Sequence, residues 1–219
     1  MNVTLLFPDV KTGGEIERLV MFAARRARTL KSHAELMEEI RSASKERVSH
    51  FLNAILRVEW SLDTAEYAPL IYDIEGIPSW LATEFFRHRL ILRDWSPEQR
   101  SKRAVSGELI PVINPFDKDL ECEMVAYQMT QDLILHSQQT MQKLHAMGVL
   151  PQKLRYAALE GTCTALTLAG NARAMQHLYT MRGSLATGGD GKAAPEAQEL
   201  ADEMLRFARS VYPNLFKEE

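Results

Sequence analysis

Arg87-His88-Arg89 is followed, after six residues, by Ser96-Pro97-Glu98-Gln99-Arg100-Ser101-Lys102-Arg103, and this one stretch concentrates side chains that bind anions. From Arg87 to Arg103 six Lys or Arg residues (87, 89, 93, 100, 102 and 103) stand against two acids, Asp94 and Glu98, in a chain whose net charge is -3. Arginine predominates over lysine, and a planar guanidinium suits bidentate contact with phosphate. Ser96 followed by Pro97 reads as the N-cap and first residue of a short helix, whose backbone N–H groups would also face an anion. The chemistry implied is recognition of a phosphate-bearing ligand. The plainer reading of the same residues is a solvated, charged helix end.

A second set lies downstream at helical spacing: Asn171, Arg173, His177 and Arg182, with Arg155 sixteen residues before Asn171. Taken singly, these are an ordinary polar helix face, a surface arginine of little energetic consequence and, with His88, a structural histidine. Their joint order, from Arg87 to Arg182, argues for a shared ligand.

The elements that must position these groups follow from periodicity and capping. Asn2 to Phe7 reads as a strand ended by Pro8, and Gly14 to Thr29 as an amphipathic helix with basic residues near its C-terminus. Ser32 with Glu35 is a capping box that opens a helix through about Val58. Pro69 to Ile74 predicts a strand. A helix from Ile77-Pro78-Ser79, with Trp80, Leu81, Phe85 and Phe86 on its buried side, then delivers Arg87, His88 and Arg89. Glu108 to Pro115 reads as short, Pro-interrupted strand; Asp119 to Met147 as the longest amphipathic helix, with apolar Met124, Ala126, Met129, Leu133, Leu135 and Met141; Lys153 to Arg182 as one or two helices; Gly183 to Pro195 as a flexible loop; and Glu196 to Val211 as a closing helix.

Composition bounds the function. A chain of 219 residues with 46% hydrophobic content can bury a full core, and it has no internal repeat, so one domain over residues 1–219 is expected. A pI near 6.1 argues against general nucleic-acid binding. No apolar run approaches the roughly 18 residues of a membrane span, and the first ten residues lack a basic signal-peptide start, so a cytoplasmic protein is expected. Cys122 lies between carboxylates that would suppress its thiolate, and Cys163 lies in an apolar segment. His136 and His145 share no metal-ligand spacing, and no metal is expected.

In motif and order the chain resembles the flavin-dependent thymidylate synthases. Their signature reads RHRxxS followed by xx(E/Q)xSxR. Here RHR is intact, and Ser96, Gln99, Ser101 and Arg103 reproduce the second half after four extra residues. Asn171-Ala172-Arg173 with His177 and Arg182 resembles the family's NxRxxxxFLxLR helix, Arg155 matches an arginine upstream of it, and Glu66 to Gly76 is similar to the segment leading into the RHR helix. The resemblance runs from about Glu66 to Arg182, with looser similarity at Ala23-Ala24-Arg25 and in the C-terminal helix.

The resemblance implies an α+β single-domain fold with long helices and a small, mainly antiparallel sheet. It implies an enzyme that methylates C5 of a uridine nucleotide, with reduced FAD supplying the hydride, methylenetetrahydrofolate the carbon and NADPH the electrons that reload the flavin. It also implies a homotetramer with sites between subunits. Carried over by position, Arg87, His88, Arg89, Asn171, Arg173 and His177 hold FAD. Glu84, Gln99, Ser101, Arg103 and Arg155 bind the nucleotide, and Arg182 faces the pyrimidine carbonyls as the catalytic cation. Neither cysteine is placed to act as the nucleophile that the unrelated class of thymidylate synthases uses.

Four positions depart from the family. Glu84 stands where glutamine is usual, Tyr67 where the histidine of the EH pair stands, Ala27 where a serine is common, and Glu196 where a histidine precedes Ala-Gln. A carboxylate at Glu84 can accept a hydrogen bond from a ribose 2′-hydroxyl, which would favour UMP over dUMP as in nucleoside-antibiotic pathways, or it can pair with Arg87 or Arg103. A non-catalytic flavin- or nucleotide-binding homologue and a helical interaction protein are the rival readings.

Overall fold

The computed structural model describes residues 1–56, 59–85, 87–88, 92–95, 110–184 and 193–216. Among them run β1 (Asn2–Phe7), α1 (Val10–Arg26), α2 (His33–Arg41), α3 (Lys45–Ile55), a 3-10 helix (Glu59–Tyr67), β2 (Pro69–Pro78), α4 (Ser79–Phe85) and β3 (Leu92–Trp95). After these come α5 (Met124–Ala146), α6 (Pro151–Leu154), a second 3-10 turn (Arg155–Ala157), β4 (Cys163–Asn171), α7 (Ala172–Arg182) and α8 (Pro195–Val211). The small, mainly antiparallel sheet has the order β1-β2-β4-β3, and the architecture is α+β as expected. The chain forms two compact units. One comprises Met1–Asn2, Ile74–Arg87 and Asp94–Thr167, and the other Val3–Asp73, His88–Arg93 and Leu168–Glu219.

In the second of these, α1 starts at Val10, four residues before the expected Gly14, because Asp9 caps it by accepting from the Thr12 N–H at 2.7 Å. Gly13 lies against the end of α8, where a Cβ would stand 2.2 Å from the Val211 carbonyl oxygen. Glu17 is buried, and its carboxylate accepts from the backbone N–H and Nδ2 of Asn214 at 2.8 and 2.7 Å. Burial pushes the Glu17 carboxyl above its usual range, against those two bonds.

The helix expected from Ser32 to Val58 is two helices. The capping box forms as expected, but α2 ends at Arg41, and Ser44 caps a new helix by accepting from the Arg47 N–H at 3.2 Å. Ser42 meanwhile turns its hydroxyl onto the Glu38 carbonyl at 2.8 Å. Two serines flanking buried Ala43 supply the local bonds that compete with a continuous helix. Glu39 ties the pieces together, bonding Arg25 at 2.6 Å, Lys31 at 2.8 Å and Arg47 at 2.5 Å. At the centre of this unit, buried Tyr72 shares a 3.1 Å hydroxyl bond with Tyr179 and donates to the Met204 carbonyl at 3.0 Å, joining β2, α7 and α8.

In the other unit, β2 runs on through Pro78 and α4 begins at Ser79, whose N–H and hydroxyl both donate to the Thr162 carbonyl at 3.0 and 2.8 Å. Leu81, Ala82 and Phe85 bury the inner side of α4 while Trp80 is only half-buried; Phe86 lies outside the described residues. The strand expected at Glu108 to Pro115 reduces, among residues 110–115, to one antiparallel bridge between Val112 and Thr162. Pro111 and Pro115 cannot donate to a ladder. The long helix starts at Met124, not Asp119, and only Ile134 and Ser137 along it are buried.

The largest departure lies between Lys153 and Arg182, where helix was expected throughout. Residues Cys163–Asn171 instead form β4, with Thr164, Leu166 and Leu168 buried at alternate positions. That two-residue period, with β-branched Thr162, Thr164 and Thr167, is a strand pattern.

Candidate functional site

The expected ligand-binding residues fall into groups that can be built from their elements. β4 ends at Asn171, which has extended backbone and accepts from the Ala174 N–H at 2.9 Å, so its side-chain oxygen is the N-cap of α7. This leaves the Nδ2 donors of Asn171 directed away from the capping bond. The sequence placed Asn171 inside a helix; a polar Asn closing an alternating run was the available signal.

α7 then carries the remaining groups on its exposed side. Ala172, Ala174, Met175, Leu178 and Tyr179 are buried, while Arg173 and His177 face outward. Arg173 pairs with Glu66 of the first 3-10 helix at 2.8 Å, with both side chains about half-exposed. Glu66 was recognised only as part of the Glu66 to Gly76 segment, and its partner could not be read from spacing because 107 residues separate the two.

At the end of α7, Arg182 donates through Nε to Nε2 of His88 at 3.4 Å. The His177 ring stands edge-on to His88 with ring centroids 6.3 Å apart and planes at 69°. Three of the expected residues, His88, His177 and Arg182, thus converge within one unit. Two imidazole rings and a guanidinium in such proximity offer hydrogen-bonding groups and positive charge to an anionic or carbonyl-bearing ligand.

In the other unit Arg87 lies just past α4 with its side chain 74% exposed, and its guanidinium sits 3.2 Å from the Glu84 carboxylate one turn earlier. This is one of the pairings open to Glu84. Arg155, in the short 3-10 turn, is exposed and donates through Nε to the Gln152 carbonyl at 3.0 Å. Arg89, Gln99, Ser101 and Arg103 lie outside the described residues, as do Leu90 and Ile91 of the segment that holds the insertion.

Tyr67, which replaces the family's histidine, is exposed at the end of the first 3-10 helix. Ala27 is the C-cap residue of α1, and Glu196 lies in the first turn of α8. Cys122 is exposed and Cys163 is half-buried on β4. No helix among the described residues is long and apolar enough to cross a membrane.

The chain matches the family model described as thymidylate synthase complementing protein over residues 10–214. No curated protein matches it. Among solved structures it is similar to the crystal structure of thymidylate synthase X from Helicobacter pylori with FAD and dUMP, at a TM-score of 0.70 and 17% sequence identity, covering 99% of this chain and 98% of that one. At that identity the likeness speaks for the fold. The family match spans nearly the whole chain, and the protein therefore belongs to the thymidylate synthase complementing proteins, the flavin-dependent thymidylate synthase family of methyltransferases.

Proposed function

We propose that the protein methylates C5 of dUMP to give dTMP, with FAD as cofactor, methylenetetrahydrofolate as one-carbon donor and NADPH as reductant, in a cytoplasmic homotetramer built from one catalytic domain over residues 1–219. The observation that carries this reading is the convergence of His88, His177 and Arg182 beside the α7 residues Asn171 and Arg173, in a chain of this family. The Helicobacter pylori enzyme of the same fold was crystallised with FAD and dUMP, and we extend both ligands to this chain.

The donor set fits FAD. Within one unit Arg173 offers a cationic group for a pyrophosphate, and His88, His177 and Nδ2 of Asn171 offer groups for a ring edge; Arg87 is added by its place in the family's RHR triplet alone. Arg89, from the same RHR triplet, joins them in this reading. When bound, FAD supplies the hydride that no protein side chain can provide. Arg155, Gln99, Ser101 and Arg103 take the nucleotide, the arginines neutralising phosphate and the hydroxyl fixing its orientation. Arg182, which engages His88 through Nε, faces the pyrimidine carbonyls in this reading. Positive charge held there stabilises negative charge that develops on the pyrimidine oxygen in the transition state.

The preference for dUMP over UMP is taken from the nucleotide bound by the Helicobacter pylori enzyme of the same fold, and the Glu84–Arg87 pair at 3.2 Å supplies an alternative to a contact between Glu84 and a 2′-hydroxyl. Kinetics with both nucleotides test this. The parent should prefer dUMP in kcat/KM, and Glu84→Gln should leave the preference within a few-fold; a parent that turns over UMP as readily as dUMP would overturn the assignment of dUMP. The cofactor assignment is tested by titrating the protein with FAD. Binding should weaken in Arg87→Ala with little change in thermal stability, and a folded protein that takes up no FAD in either redox state would sink the proposal.

A further inference from the structure

The unit that contains Val3–Asp73 holds a groove that shares no residue with the flavin and nucleotide groups. Its volume is about 1110 Å3, and the start of α1, the outer turns of α3 and the turn after α8 frame it, all within that unit. Val48 and Val211 are buried along it, and exposed Pro213 continues the apolar wall to the surface. Glu17, only 4% exposed, lies in the same lining, and its described hydrogen bonds both come from neutral donors of Asn214. Among the described residues no cation pairs with it. Arg18, the next residue, turns its guanidinium to the Ile40 and Ala43 carbonyls at 2.8 and 2.7 Å. A carboxylate withdrawn from water ordinarily has a cation beside it, because the lost hydration must be offset.

Two further residues of the lining point the same way. Asn53 donates through Nδ2 to Ser49 Oγ at 3.3 Å, whereas its Oδ1 is buried and has no hydrogen-bond partner among the described residues. A buried acceptor without a donor is costly, so it marks a place for an N–H or O–H. Gly14 lies inside α1, where glycine is a poor helix former, and a Cβ there would meet nothing within 4 Å. Its neighbour Gly13 is required by the Val211 carbonyl; Gly14 has no such requirement, and its bare backbone keeps the groove open. At the rim, exposed Lys11 and Lys45 are matched by exposed Glu15 and Glu46, so no surplus of positive charge draws an anion. We infer that this groove is a second ligand site, for a small organic ammonium: the apolar body lies against Val48, Val211 and Pro213 across Gly14, and the ammonium donates to the Glu17 carboxylate, with Asn53 Oδ1 as a further acceptor. An ammonium has three donors and no acceptor, which suits a lining that lacks both a cation and a donor.

The test is NMR of the full chain labelled at valine methyls, in phosphate buffer at neutral pH, titrated separately with benzylamine, benzyl alcohol and benzoate. The three probes share one ring and differ in charge and donors. The Val48 and Val211 signals are identified by their loss on change to Ile, so binding in this groove is distinguished from binding elsewhere. Benzylamine should shift both signals with a dissociation constant on the order of 1 mM, as expected for so small a ligand, and should bind at least about tenfold tighter than benzyl alcohol or benzoate. Affinity should fall about tenfold or more in Glu17→Gln, which removes the charge, and in Asn53→Leu, which removes the acceptor. Gly14→Leu fills the groove without touching either polar group and should abolish the shifts. Circular dichroism melts establish that each variant is folded; because leucine favours a helix over glycine, Gly14→Leu keeps the test available if Glu17→Gln unfolds. Unshifted Val48 and Val211 signals at about 10 mM benzylamine, benzoate or benzyl alcohol binding as well as the amine, or undiminished affinity in folded Gly14→Leu or Asn53→Leu would overturn the inference. Each of these results leaves the methyltransferase reading untouched, since that reading is decided by FAD uptake and the nucleotide product.

Discussion

α7 and α5 are both amphipathic helices, yet they treat their apolar side chains in opposite ways. α7 has 11 residues, and its apolar face (Ala172, Ala174, Met175, Leu178 and Tyr179) is buried against its own unit, which leaves Arg173, His177 and Arg182 held on a fixed support. α5 has 23 residues, and Val125, Met129 and Leu133 form an i, i+4, i+8 stripe that is exposed; Met129 is 70% accessible. A helix that presents binding groups needs its other face anchored within the chain. A helix that exposes a run of large apolar side chains has the pattern of an association surface, which accords with the proposed tetramer.

The contrast is broken most severely by emptying the packed side. Leu178→Ala should lower unfolding free energy by about 2–5 kcal/mol, the cost of a buried large-to-small change, while Met129→Ala should stay within about 0.5 kcal/mol in unassociated protein. Denaturant melts of both variants would reverse the comparison if Met129 proved the costlier. The corresponding test of α5 is association. Changing Val125, Met129 and Leu133 together to Ser should lower the mass measured by light scattering, since obligate interfaces bury upwards of about 2,000 Å² and rest on apolar contact.

Gly13→Ala sharpens the account of the packed unit from another side. The added methyl must displace the Val211 carbonyl or move α1, at about 1–3 kcal/mol, read as a lowered melting temperature. Asn171→Ala should cost about 0.5–2 kcal/mol through loss of the α7 cap. Asn171→Asp keeps a capping oxygen and discards the Nδ2 donors, so it should hold stability while weakening FAD binding. Equal stability loss in the two variants would argue that the cap bond itself is unimportant.

The smallest effect concerns Glu17. Its folded carboxyl titrates above the unfolded one because burial outweighs the Asn214 bonds. The folded state therefore favours the proton. The resulting contribution is fully present below the unfolded pKa and is lost as pH rises through the folded pKa. Stability of the parent relative to Glu17→Gln should accordingly decline with rising pH across that window, and a rise instead would reverse the assigned cause.

Much of this molecule was legible in its residues where a local cap or a long-range motif spoke plainly. The Ser32–Glu35 capping box, β1 and the closing α8 stand close to where the sequence places them, because each signal is complete within a few residues. The Ser44 cap was passed over because the apolar spacing of Val48, Leu52 and Ile55 continues the phase of a single helix. β4 was missed because an apolar run next to a real helix can be read with either period, and the alternation of Thr164, Leu166 and Leu168 decides only once it is weighed. At the site, the His88–Arg182 contact spans 94 residues and the Arg173–Glu66 pair 107, so neither is available to any local rule. The family signature marked those residues without revealing their partners.

The central claim is tested most directly by the nucleotide product. The protein, loaded with FAD and reduced by NADPH, is given dUMP and methylenetetrahydrofolate, and the product is analysed by mass. The account predicts a nucleotide heavier than dUMP by one CH2 unit, formed by the parent and by the double Cys122→Ala, Cys163→Ala variant within a few-fold of each other. Unchanged dUMP from a folded, FAD-loaded protein, or a covalent adduct between either cysteine and the nucleotide, would contradict it.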